Sequence, residues 1–239
     1  MWTLSLIERV AAYNGNQTIL TDVLCPLLDK SLQFFQHLQV GGNSTMPEIH
    51  LPPTMSPEYP HTVEADANYA IALYRWGLQT AISLADRFPD EENCGGSPSS
   101  DSIGYQHYLN WKSTLKLLTW FPIDNVTNTL EIYRGVPYGV PHRHYSHLFS
   151  IWPLHLLDLT NETQSTTARD SINLWLATPE EDSMFDRPAA SAMNVLLRNN
   201  AAAFDNVTYL LNRRIDWSTW YREGQEGAAP RYRTLPPGP

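Results

Sequence analysis

The apolar residues of this chain recur at the spacing of a helix over most of its length, and nowhere do they alternate long enough to make a strand. Between Ile19 and Leu38, the residues Leu20, Val23, Leu24, Leu27, Leu28, Leu32, Phe35 and Leu38 fall on one face of a helix. Pro26 stands inside that series, where its ring and missing N–H predict a kink. The same period runs through Leu4, Ile7 and Ala11, with Leu6 and Val10 beside them, and Asn14-Gly15-Asn16 supplies the stop. It returns over Asp66–Arg87, with Ala67, Ala70, Ile71, Tyr74, Leu78, Ile82 and Ala85 on one face, and over Gln106–Leu118. Further helices are expected over His147–Asp158, Thr166–Ala177, Ala189–Phe204 and Asn206–Trp217. The fold class read from this pattern is all-α, with helices in sequential antiparallel pairs.

Between the helices the chain is punctuated by loop-forming residues. Gly41-Gly42-Asn43-Ser44 opens a long connection, which continues through Pro52, Pro53, Pro57 and Pro60 as a stiff, extended segment. Asp90–Ser100 has the composition of an exposed loop, and Gly135, Pro137, Gly139 and Pro141 lead into a cluster of histidines. A chain of 239 residues that is 42% hydrophobic is long enough for one large core. Its formal charge of −9 leaves no basic face for nucleic acid or for an anionic membrane. No apolar run approaches the length of a membrane span.

Cys25 and Cys94 are able to form one bridge, and Asn-x-Ser/Thr acceptors stand at Asn16, Asn43, Asn125, Asn161 and Asn206. Together they point to the secretory pathway. The first residues, Met1–Arg9, do not read as a signal peptide, because Glu8 and Arg9 interrupt the apolar stretch, so a leader is expected elsewhere in the parent protein.

Two places carry candidate chemistry. Glu58 lies on the proline-stiffened loop with no lysine near it in sequence, the setting of a carboxyl fixed in advance as a general acid, or else of a solvated loop glutamate. His142, Arg143, His144 and His147 crowd into six residues. They admit three readings. In a metal site His144 and His147 would share a helical face, in a ligand wall imidazole and guanidinium donors would orient a polar molecule, and in a core they would simply hydrogen-bond. Asp66, at the start of its helix, reads as an N-cap. There is no nucleophile elbow, phosphate loop or dinucleotide fingerprint, and neither a metal nor a cofactor is expected.

Ser56-Pro57-Glu58 on a loop, a long helix after it, and His142-Arg143-His144-Tyr145-Ser146-His147-Leu148 with Pro153 downstream resemble the catalytic domain of glycoside hydrolase family 95. The resemblance implies part of an (α/α)6 toroid over residues 1–227, with 228–239 a disordered tail of foreign character. It also implies inverting hydrolysis of α-L-fucosides or α-L-galactosides on oligosaccharides or glycans, with Glu58 as the acid and the histidine motif as part of the sugar-binding wall. The family's Asn-x-Asn pair and its catalytic base find no counterpart here, so the chain is expected to be a middle fragment with impaired activity, or a carbohydrate-binding or inert remnant.

Overall fold

The structure, a computed structural model, describes residues 1–56, 63–96, 102–139, 144–177 and 186–213. Among them are seven α-helices and three small antiparallel hairpins. Helix α1, Trp2–Asn14, ends at Gly15, whose φ of 65° is the left-handed conformation that glycine adopts without strain. The series expected from Ile19 to Leu38 divides at its proline. Ile19–Leu24 is a π-helical segment, and α2 follows as Cys25–Leu38 with Pro26 in its first turn. The Cys25 N–H donates to the Leu20 carbonyl, five residues back. The wider π turn makes room for a ring that would clash with the carbonyl four residues earlier in a regular α-helix.

Helix α3, Asn68–Arg87, is the axis of the molecule. Ile71, Ala72, Tyr74 and Leu78 are all fully buried, so it is covered around most of its first three turns, as expected of a helix apolar on several sides. It packs against α2, against α4 (Ile103–Leu117) and against a 3₁₀ turn at Ser146–Leu148. The Cys25–Cys94 disulfide ties the start of α2 to the turn that follows α3. Arg75 of α3 is buried: its Nη2 donates to the Leu118 and Thr119 carbonyls, and the guanidinium lies over the Trp120 ring.

The expected helical fold class holds, its strands being only β1 Val40–Gly41 with β2 Ile49–His50, β3 Thr54–Met55 with β4 Val63–Glu64, and β5 Ile123–Asp124 with β6 Thr129–Leu130 among the described residues. Each strand is two residues long, too short to show alternation in sequence. Three other expectations are corrected. The helix expected over His147–Asp158 is absent, and only the 3₁₀ turn forms before a string of turns. Pro153 offers no N–H and pushes Trp152 away from helical geometry. After α5, Glu162–Ala177, the helix expected over Ala189–Phe204 is broken into α6, Asp186–Leu196, and α7, Asn200–Arg213. Arg198 turns the chain with a φ of 57°, and the Asn199 side chain accepts from the Ala202 N–H at the start of α7. The resulting α6–α7 hairpin is antiparallel, pinned by Arg187 to Asn206 and by Ser191 to the Ala203 carbonyl. The third correction concerns Asp66, described with the site. The expected tail, 228–239, lies outside the described residues.

Candidate active site

The described residues on either side of Glu58, 51–56 and 63–66, are joined to each other twice. Strands β3 and β4 pair Thr54 with Glu64 and Met55 with Val63. Below them, the Asp66 N–H donates to the Leu51 carbonyl at 3.2 Å, and the Leu51 N–H donates to Asp66 Oδ1 at 2.9 Å. Asp66 is therefore no helix cap. Ala67 is the N-cap of α3 with no side-chain bond, and the Asn68 N–H is taken by the Ile132 carbonyl.

Asp66 instead turns back on itself with a φ of 54° and serves as a hub. Its Oδ2 accepts from His50 Nδ1 at 2.7 Å and from Arg134 Nε at 2.8 Å, while the side chain is only 3% exposed. Burial works against its charge, but the Arg134 guanidinium, the Leu51 amide and His50 outweigh it and hold the carboxyl below the usual range. Arg134 also donates to Thr119 Oγ1, so the base of the loop is bound to the segments after α4.

At the tip of β3, Ser56 joins the two motifs. It is 1% exposed; its N–H donates to the buried Tyr133 hydroxyl at 2.6 Å, and its Oγ lies 2.9 Å from Ser146 Oγ. Ser146 is itself 2% exposed. Thus the residue two before Glu58 touches the fifth residue of the histidine motif, across a sequence separation of 90. Glu58 itself, and His142 and Arg143, lie outside the described residues.

His144 is half-buried at the motif's described edge. His147 is buried and stacks on Tyr138, with ring centroids 4.6 Å apart and planes 12° from parallel. Burial pushes its imidazole down to about 3, so it is neutral at physiological pH. His147 therefore sits in the interior rather than facing open space. His144 and His147 do not share an α-helical face, because the 3₁₀ turn starts at Ser146. Among the described residues, no three His, Cys, Asp or Glu side chains gather as a metal site requires. Tyr145 fills the space beneath the motif, against Phe149, Trp152 and Trp175, and burial pushes its phenol up to about 12.

Of the glycosylation acceptors, Asn16, Asn43, Asn125 and Asn161 are exposed at turns or helix ends. Asn206 is 6% exposed inside α7, donates to the Ala202 carbonyl and accepts from Arg187. A glycan there would have to break that packing.

Sequence reading had no role for Ser56, Ser146, Tyr133 or Arg134. The two serines stood inside the motifs, but only the fold reveals that they meet.

No family model matches the chain, and no curated protein matches it. Among solved structures it is similar to a human-microbiome protein named as a kojibiose phosphorylase, with a TM-score of 0.57 at 12% identity. The alignment takes in 85% of this chain and 29% of the other, so the chain spans less than a third of that structure's length. This likeness, with the helical hairpins described above, makes the fold part of an (α/α) toroid.

Proposed function

We propose that this chain carries part of the catalytic domain of a glycoside hydrolase that removes terminal α-L-fucose, or α-L-galactose, from oligosaccharides or glycans with inversion. The contact between Ser56 and Ser146 carries the reading, because it brings the Glu58 loop and the histidine motif to one place. The likeness to a structure named for a sugar-processing enzyme supports a carbohydrate substrate at the level of the fold. Neither the charge of −9 nor the helices favour another partner: among the described residues no helix is long and apolar enough to cross a membrane.

In this mechanism Glu58 donates its proton to the leaving glycosidic oxygen as the bond to the anomeric carbon breaks. A water on the opposite face attacks that carbon and gives its proton to a second carboxylate, the two carboxyls standing about 6.5–9.5 Å apart. The bonds of Asp66 and Ser56 anchor the described residues on either side of the Glu58 segment, which supports a role for Glu58 in which orientation costs little. His142, Arg143 and His144 supply donors for the sugar hydroxyls, while His147, neutral and stacked on Tyr138, packs in the interior. No residue of this sequence matches the base of the family it resembles, which favours a second reading: a module that holds the sugar without turning it over. The disulfide and the exposed acceptor asparagines support residence in the secretory pathway.

Incubation with an α-1,2-fucosylated oligosaccharide tests the first reading. Released fucose that falls by about a hundredfold or more with Glu58→Gln is the expected result. Activity indifferent to Glu58→Gln removes Glu58 from the reaction, and tight fucose binding by calorimetry without release selects the second reading.

A further inference from the structure

Helix α3 has a second polar neighbourhood, well away from the loop end. Tyr69, in its first turn, reaches the Met55 carbonyl beside Ser56. A rise of 1.5 Å per residue sets Gln79 about 15 Å farther along the axis and Ser83 about 20 Å. There α1, α3 and the segment 153–156 enclose a cleft of about 580 Å³. Its floor is Trp76, 6% exposed, and its walls include Glu8 and Arg9 from α1, Gln79 and Ser83 from α3, and His155, which holds a φ of 52° at the rim.

The charges of this cleft are spoken for. The Glu8 carboxyl is raised by burial, with the Trp76 indole hydrogen bond and Arg9 offsetting only part of it. The Arg9 guanidinium donates to the Pro153 carbonyl. A single carboxylate is too few for a divalent cation, and a committed guanidinium makes a poor phosphate site. The remaining surface offers an amide and hydroxyls, each both donor and acceptor, over an indole. That chemistry suits a neutral polyhydroxylated ring, and the volume lies within the range of about 300–1,000 Å³ typical of small-ligand sites. A second hollow of about 300 Å³ shares Glu8, Thr80 and Ser83 with the cleft and ends at Asn16, whose side chain is exposed and heads an acceptor sequence.

From this arrangement we infer that the cleft over Trp76 is a separate binding site for a neutral sugar of one or two rings. The sugar comes from solution or from a glycan attached to Asn16. The site is distinct from the Glu58 loop and stands whether or not that loop hydrolyses fucosides.

The test is local. The Trp76 indole N–H resonance is assigned with Trp76→Phe in the full chain made without glycosylation, and L-fucose, D-glucose and kojibiose are titrated to about 50 mM. The site predicts a saturable shift of that resonance with at least one sugar, weakened about fivefold or more by Gln79→Ala and by the cleft-filling Ser83→Trp, circular dichroism reporting an intact fold for both variants. In the second arm, glycosylated protein with and without Asn16→Gln distinguishes the sources. A resonance already shifted, and returned by Asn16→Gln, assigns the cleft to the attached glycan. A Trp76 resonance that ignores all three sugars and the Asn16 glycan overturns the inference, as does a shift that survives both Gln79→Ala and Ser83→Trp. Fucose release is read separately, so either conclusion fails without the other.

Discussion

The two ends of α3 treat polar side chains in opposite ways. At the loop end the polar groups are buried and paired: Ser56 bonds to both Tyr133 and Ser146, and Asp66 bonds to Leu51, His50 and Arg134. At the cleft end Gln79, Ser83 and His155 line open space beside a buried Trp76. A closed network fixes geometry at the cost of high sensitivity to change, while an open one is free to bond an incoming molecule. Proton transfer needs the first kind of end and ligand capture the second.

Substitutions at the two ends should therefore differ most in stability. Asp66→Ala strips the buried Leu51 N–H of its acceptor and removes the carboxylate shared by His50 and the half-exposed Arg134, and should cost about 2–3 kcal/mol in urea unfolding. A loss below about 1 kcal/mol would mean that the loop base is not the constraint it is taken to be.

Acid should act next. Folding holds His147 neutral down to about 3. The unfolded chain takes up a proton as pH falls through about 6.5, and the folded one does not, so stability falls on acidification by up to about 1.4 kcal/mol per pH unit between those values. Asp66, depressed instead, contributes stability that is full above the ordinary carboxylate value and is lost only as pH drops through its own lower one. Denaturant titrations from pH 7 to pH 4 on the wild type and on His147→Gln separate this histidine from His155, which burial also depresses. The substitution should reduce the slope, and equal slopes would contradict the burial of His147.

The smallest effects sharpen the contrast. Ser56→Ala removes one buried hydrogen-bond partner from Ser146 and should cost about 1–2 kcal/mol. Ser83→Ala, on an exposed rim, should stay within about 0.5 kcal/mol. Equal costs at both positions would erase the distinction between the ends.

The helices were legible where one apolar face persists, as in α1, α2 and α3, because period alone specifies them. The sequence also carried the signals that divide them. Pro26 became a π turn, Pro153 stopped a helix after one 3₁₀ turn, and Asn199 capped a new one, in each case a backbone requirement outweighing an apolar pattern. Asp66 was misread because a carboxylate two residues before a helix looks like a cap. An arginine 68 residues away claimed it instead. Both motifs could be seen in the sequence, but their meeting could not, since a hydrogen bond between two serines leaves no local trace.

Oxidation of a Ser56→Cys, Ser146→Cys variant probes that meeting most directly, because side-chain oxygens 2.9 Å apart place the two segments within reach of a disulfide. Peptide mapping should find a new bridge between the segments around positions 56 and 146, beside the native Cys25–Cys94 bond. Two freely alkylated thiols in a chain that still forms Cys25–Cys94 would show that the motifs do not share a site.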